Sequence, residues 1–137
     1  MKFEHICFFL LVTIFFSCKK STVEIPVVLN TEQKLLGTWK YTKMIVHSYH
    51  TNSNFYDTTI AFPTDFMEFK NNGTAVTEFN TIQANFTFIL LSDNKMKLSG
   101  NIFDILTLNM NNLILSNKDT SSFSPLQFRD TQLFLFR

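Results

Sequence analysis

The chain is poor in the residue types that catalytic and cofactor-binding motifs require. Its 137 residues include three glycines and two cysteines, and no glycines are grouped into a phosphate-binding loop. The sequence also has no serine-centred nucleophile elbow and no cluster of histidines with carboxylates. We therefore expect no enzymatic activity, no cofactor and no metal.

An excess of charge of one sign is lacking as well. Twelve Lys and Arg against eleven Asp and Glu give a net charge of +1, and the lysines are scattered over different predicted elements. Nucleic-acid-binding proteins usually carry a basic patch or stripe. The charge pattern therefore argues against nucleic acid as a partner.

Few side chains are candidates for a chemical site. His47 and His50 are three residues apart, so a strand would place them on opposite faces, where they cannot chelate one metal. Asp65, Glu68 and Asp104 have no apolar pocket in the sequence pattern that would adapt them to acid–base work. We interpret all five as surface, turn or loop residues.

A short apolar run over residues 6–17 follows Lys2 and stands directly before Cys18. It is too short to span a bilayer, and Ser17 is the small residue that signal-peptidase cleavage needs. Phe15-Phe16-Ser17-Cys18 resembles the lipobox of Gram-negative lipoproteins, in which the cysteine is acylated and becomes the new N-terminus. An ordinary secretory signal cleaved elsewhere and an uncleaved membrane anchor are the alternatives.

The lipobox resemblance implies a signal peptide at residues 1–17, a lipidated tether at 18–29 and a folded domain at 30–137. Acyl chains on Cys18 would hold the protein on a membrane, since each buried methylene contributes about 0.8 kcal/mol. Lys19 is not the Asp that retains lipoproteins in the inner membrane, which favours the outer membrane. The first acidic residue after Cys18 is Glu24, which favours its periplasmic face over the cell surface. Cys7 would leave with the signal, so no intramolecular disulfide could form.

The folded domain begins with helix signals and continues with strand signals. Asn30 and Gln33 have capping-box spacing, which predicts a short helix that ends at Gly37. A long strand follows, and period two places Trp39, Tyr41, Ile45 and Tyr49 on one face. Residues 49–56 are predicted to be a loop.

The remaining sequence predicts successive hairpins. Asn71-Asn72-Gly73 is the clearest hairpin turn, residues 117–124 form a polar loop, and residues 126–129 and 132–137 form a last strand pair. Twelve of the 17 phenylalanines lie outside the predicted signal and would fill or line an interior. About nine short strands predict an all-β fold, a small antiparallel up-and-down β-barrel, with a β-sandwich as the alternative.

The segment Leu35-Leu36-Gly37-Thr38-Trp39-Lys40 resembles the opening of the lipocalin and lipocalin-like superfamily, a short helix followed by Gly-x-Trp on the first barrel strand. Residues 67–74 likewise resemble the second hairpin of small bacterial lipocalin-like lipoproteins. The resemblance covers residues 30–137 and implies a lipocalin-like barrel of eight to nine strands. It also implies that Gly37 and Trp39 close one end, with Arg129 or Arg137 packed across the indole ring.

The same resemblance implies that a small hydrophobic or amphiphilic ligand binds at the open end. The candidate ligand contacts are aromatic residues, with two tyrosines in a loop at the barrel mouth: Tyr49, Tyr56, Phe69, Phe86 and Phe88.

The alternative is a filled barrel that serves as a structural or interaction module and docks onto another envelope protein. Residues 102–108 favour it, because apolar side chains fall on both predicted faces: Ile102, Leu106 and Leu108 on one, Phe103 and Ile105 on the other.

Overall fold

The computed structural model describes residues 29–50, 53–119 and 128–137. Cys18, the proposed signal peptide and nearly all of the proposed tether lie outside these ranges, so lipidation stays a prediction. None of the helices within the described ranges is long and apolar enough to cross a membrane.

A short helix, α1 (Thr31–Leu35), precedes the first strand. The Asn30 side chain accepts a hydrogen bond from the backbone N–H of Gln33 at 2.8 Å. In return the Gln33 side chain accepts one from the backbone N–H of Asn30 at 3.0 Å. The predicted capping box is confirmed, and the helix ends before Gly37, whose φ of +108° suits a residue without a side chain.

The strands follow one another as antiparallel neighbours. They are β1 (Gly37–His50), β2 (Ser53–Ile60), β3 (Phe66–Phe69), β4 (Thr74–Phe79), β5 (Ile82–Ser92), β6 (Lys95–Leu98), β7 (Asn101–Leu108), β8 (Asn112–Asp119) and β9 (Phe128–Phe136). Because β9 pairs back onto β1, eight of them close into an antiparallel barrel, with β2 as an additional strand. The prediction of an all-β up-and-down barrel is confirmed. Such closure removes the exposed edges that an open sheet of this composition would present.

Strands β2 and β3 lie one after the other along the same edge of β1. Strand β3 pairs with residues 37–40 of β1, and β2 pairs with residues 43–50. Residues 61–65 interrupt the pairing between them, where the backbone N–H groups of Ala61 and Tyr41 bond to the carbonyl oxygens of Thr42 and Asp65. On its other side the upper half of β1 pairs with β9, which in turn pairs with β8. We use the name upper sheet for β2, residues 43–50 of β1, and the parts of β9 and β8 that continue the pairing beside them.

A one-residue bulge at Thr42 divides β1 into two halves. Tyr41 lies opposite Leu135 of β9, but Lys43 already lies opposite Phe134. Leu135 points into the barrel and Phe134 points out. The alternation of inward and outward side chains along β1 therefore shifts by one residue at this bulge. The prediction that Ile45 and Tyr49 share the face of Trp39 and Tyr41 is therefore wrong.

Several predicted boundaries also change, because pairing extends the strands through polar residues. Residues 49–50 and 53–56 do not belong to a loop, since β1 continues to His50 and β2 begins at Ser53. Strand β8 extends to Asp119, into the predicted polar loop. The last predicted strand pair is one strand, β9, over the residues that the structure describes. Polar side chains on an exposed face do not prevent strand formation.

The barrel core lies between α1 and the bulge. Its buried apolar side chains are Leu35, Trp39, Tyr41, Met67, Phe69, Ala75, Phe88, Met96, Leu98, Ile105, Leu113, Leu115 and Leu135. The rings of Phe69 and Phe88 meet edge to face with centroids 5.1 Å apart. A second bulge, at Leu106, brings Leu108 opposite the buried Leu113 and Ile105 opposite the buried Leu115. Leu108 thus shares the inner face with Ile105, and the predicted grouping of Leu108 with Ile102 and Leu106 is wrong.

Candidate functional site

One end of the barrel is closed by α1, Trp39 and Arg137. The Trp39 indole N–H donates to the carbonyl oxygen of Leu35 at 2.7 Å. The Arg137 guanidinium carbon lies 3.9 Å from the centroid of the Trp39 ring. The guanidinium also donates to the carbonyl of Leu36 at 3.1 Å and to that of Lys34. The last carbonyls of a helix lack partners within it, so these two side chains complete the helix end.

Of the two arginines considered from the sequence, Arg137 is thus the one that covers the indole. Arg129 lies opposite Asp119 and Ser48 in the upper sheet, far along β9 from this end. Desolvation lowers the pKa of Arg137 from its ordinary value, but a guanidinium stays charged at any physiological pH.

The rim at the other end is held by Asp65. Its carboxylate accepts hydrogen bonds from the backbone N–H groups of Phe62 at 2.9 Å and Asn80 at 3.2 Å. It therefore ties the break between β2 and β3 to the turn between β4 and β5. Asp65 was predicted as a turn residue, and it is one, but it is 1% exposed and not solvated.

Tyr41 forms the floor next to this rim. Its hydroxyl is within hydrogen-bonding distance of the Thr77 hydroxyl, at 3.0 Å, and its ring meets Phe79 edge to face at 4.9 Å. Burial raises the pKa of Tyr41 to about 12, against a smaller lowering by the Thr77 hydrogen bond, and the negative charge of Asp65 adds to the increase.

Above this floor, the inner wall remains apolar and partly open. Phe86 lies one pair above Phe88 on β5 and opposite Ala75. Phe103 of β7, Leu133 of β9 and Phe79 of β4 are, like Phe86, partly buried against the core. We call Phe79, Phe86, Phe103 and Leu133 the mouth residues. They form an apolar border of the buried core.

The five predicted ligand contacts are not brought together. Phe69 and Phe88 are buried in the core, and Phe86 belongs to the mouth. Tyr49 and Tyr56 lie on the outer face of the upper sheet. Tyr49 is an even number of residues from the outward-facing Lys43, and Tyr56 lies opposite His47, which also faces outward. Phe79, Phe103 and Leu133 were not candidates from the sequence, although they too are partly buried against the core.

The outer face of the upper sheet carries a second group of functional side chains. A pocket of about 270 Å³ is lined by Ile45, His47, Tyr49, Tyr56, Asp130 and Gln132. His47 is 7% exposed, although its neighbour across the strands, Tyr56, is 64% exposed. Among the residues that the structure describes, no three or more His, Cys, Asp or Glu side chains are grouped so as to hold a metal ion.

These features define a small antiparallel barrel with one closed end, a buried apolar core and an apolar mouth. No protein-family model matches the chain, and no curated protein matches it. Among solved structures, the chain is similar to a deswapped triple mutant of bovine odorant binding protein. The two share 14% identity over 76% of this chain and 74% of that one, with a TM-score of 0.44.

Proposed function

We propose that the protein is a non-catalytic, lipid-anchored barrel of the cell envelope that binds a small hydrophobic or amphiphilic ligand at its open end. The observation that carries this proposal is the mouth. Four apolar side chains, each from a different strand, remain partly exposed beside the buried core. Binding sites of small ligands are concave and mostly apolar.

The buried core limits how deeply such a ligand can enter. Phe69, Phe88 and Met96 occupy the barrel axis below the mouth and are almost fully buried. A ligand therefore rests on Phe86 and Phe103 and does not enter a deep cavity. Affinity would come from the apolar area that it covers, at about 25 cal/mol per Å² of surface removed from water. An acyl chain end or one small ring suits this depth.

Ligand binding can be measured with a fluorescent fatty acid and the unlipidated protein. We expect saturable binding that Phe86→Ala weakens about tenfold, which corresponds to about 1.4 kcal/mol. Ile89→Ala is the matched control, because Ile89 lies on the same strand but faces outward. Absence of saturable binding, or equal losses in both variants, would contradict the proposal.

The anchor and location rest on the lipobox resemblance at Cys18. We propose an outer-membrane lipoprotein whose domain lies on the periplasmic face. Mass spectrometry of the mature N-terminus should find an acylated Cys18, and Cys18→Ala should move the protein from the membrane to the soluble fraction. If the variant stays in the membrane at the original level, the anchor lies elsewhere.

The outer face of β5, β6 and β7 favours a second function, docking onto another envelope protein. Ile89 lies opposite Lys97, which lies opposite Ile102, and both isoleucines are exposed together with Leu91 and Leu106. Contiguous exposed apolar side chains often mark interaction surfaces. A stoichiometric partner that co-purifies from membranes with the native chain, but not with Ile89→Asp, would support this function. A partnerless monomer that binds the fatty acid would exclude it.

A further inference from the structure

The outer face of the upper sheet presents its side chains in cross-strand rows. Tyr56 of β2 lies opposite His47 of β1, His47 lies opposite Asp130 of β9, and Asp130 lies opposite Lys118 of β8. Side chains that are directly opposite share a face of the sheet and touch one another. The sheet thus brings two aromatic rings, a carboxylate and an ammonium into one line, although they are far apart in sequence.

The aromatic rings of this face form a continuous stack. The His47 and Tyr56 rings are nearly parallel, with centroids 3.7 Å apart and planes 19° from each other. His47 also contacts Tyr49 at 3.5 Å, and Tyr49 stacks on Phe128 at 3.8 Å. Tyr56 ends the stack and is 64% exposed. A large, rigid ring surface therefore faces the solvent at the edge of the pocket.

The polar groups of the pocket are arranged to receive hydrogen bonds. The Asp130 carboxylate is fixed by donors from the Ser116 hydroxyl at 2.7 Å and the Gln132 amide at 3.3 Å. His47 is 7% exposed, and its Nε2 atom is buried without a hydrogen-bond partner in the described part of the chain. Buried polar atoms almost always have a partner. The unpaired nitrogen in the wall of a pocket indicates that a ligand supplies one.

We propose that this pocket binds a sugar ring, as a neutral monosaccharide unit of a glycan. A pyranose ring has apolar C–H faces that stack on tyrosine and hydroxyl groups that bond to carboxylate, amide and imidazole atoms. The pocket volume of about 270 Å³ is just below the roughly 300–1,000 Å³ of pockets for drug-sized ligands, which suits one ring.

The charge pattern selects a neutral ligand over a cationic one. Lys118 lies opposite Asp130 in the strand register, and its ammonium nitrogen is 3.8 Å from the centroid of the Phe128 ring. The protein therefore already places its own cation on the aromatic stack. A second cation would be repelled there, whereas hydroxyl groups are not.

This site is independent of the proposed apolar ligand. Tyr56 and His47 face outward, while Phe86 and Phe103 face the barrel axis, so each site can be removed without the other. Tyr56 also has a matched neighbour for a control. Phe55 is the adjacent residue of β2, is 62% exposed against 64% for Tyr56, and points to the opposite face of the strand.

The test is affinity gel electrophoresis of the full mature chain in gels that contain soluble neutral polysaccharides, such as dextran, xylan or a β-glucan. We expect at least one polysaccharide to retard the protein. Tyr56→Ala and Asp130→Asn should weaken this binding about tenfold or more, and Phe55→Ala should leave it unchanged. Thermal melting checks that each variant is folded. Since Tyr56 is largely exposed, its removal should not unfold the chain.

Saturation-transfer NMR with free glucose, galactose and N-acetylglucosamine provides a second readout that does not depend on polymer length. Transfer to the sugar protons that is lost in Tyr56→Ala supports the site. If no polysaccharide or sugar binds, the proposal is wrong. It is equally wrong if Phe55→Ala and Tyr56→Ala lose binding to the same extent, or if choline binds at this pocket and sugars do not.

Discussion

Removal of the Arg137 side chain tests how the closed end of the barrel is stabilised. Arg137→Ala deletes a cation–π contact with Trp39 and two hydrogen bonds to the last carbonyls of α1. A cation–π contact contributes about 0.5–2 kcal/mol, and hydrogen bonds from a charged donor contribute about 1.5–3 kcal/mol each when buried. Because Arg137 is exposed, solvent weakens these contacts, and we expect a loss of about 2 kcal/mol, below the sum of these ranges.

Trp39 is the only tryptophan of the chain, so its fluorescence reports directly on the closed end during urea unfolding. For a domain of this size, a loss of about 2 kcal/mol should lower Tm by roughly 8 °C. Arg137→Lys should lose about half as much, because a lysine keeps a charge near the indole but cannot donate to two carbonyls in a fork.

A matched surface change shows whether the position or the charge matters. Lys43 lies over the Phe134 ring at 4.8 Å on the outside of the barrel, where Lys43→Ala should cost less than about 1 kcal/mol. If Arg137→Ala costs no more than Lys43→Ala, or if the fluorescence of Trp39 in the folded state does not change, the closed end does not depend on Arg137.

Three further changes test the rim, the floor and the first hairpin. Asp65→Ala leaves two backbone N–H groups without their acceptor and should lower the free energy of unfolding by about 2–4 kcal/mol, whereas Asp65→Asn, which keeps an acceptor oxygen, should lose less; urea titration compares them. The folded-state pKa of Tyr41 is about 12 against an ordinary 10.0, so the folded chain keeps a proton that the unfolded chain loses. The free energy of unfolding should then be unaffected below pH 10 and fall by about 1.4 kcal/mol per unit between pH 10 and 12, a slope that Tyr41→Phe should remove in base titrations. Gly73 has a φ of +77°, so Gly73→Ala should destabilise the chain by about 1 kcal/mol, while Asn72→Gly at the neighbouring turn position should cost less in thermal melting.

The parts of the fold that depend on adjacent residues could be predicted from the sequence. The capping box of Asn30 and Gln33 and the turn at Gly73 act within three residues, and both occur where the pattern places them. Local backbone preferences determine these features before any tertiary contact forms.

The sequence could not predict which side chains in the second half of β1 face outward, because no residue pattern marks a bulge. Period-two alternation continues smoothly through Thr42, and only the pairing of Tyr41 and Lys43 with β9 shows the bulge. The same holds for the outer pocket. From the sequence, His47 and His50 were interpreted as surface or loop residues, whereas the register across three strands places His47 opposite Tyr56 and Asp130.

Because of the bulge at Thr42, the number of residues in each half of β1 decides which of its side chains face the barrel axis. Deletion of Thr42 would restore regular pairing and leave Trp39 inside and His47 outside, because the extra residue is the one without an opposite neighbour in β9. Deletion of any residue between 43 and 50 would invert everything beyond it and turn the outer aromatic rings toward the barrel axis. Among homologous sequences, single-residue gaps in β1 should therefore be confined to position 42.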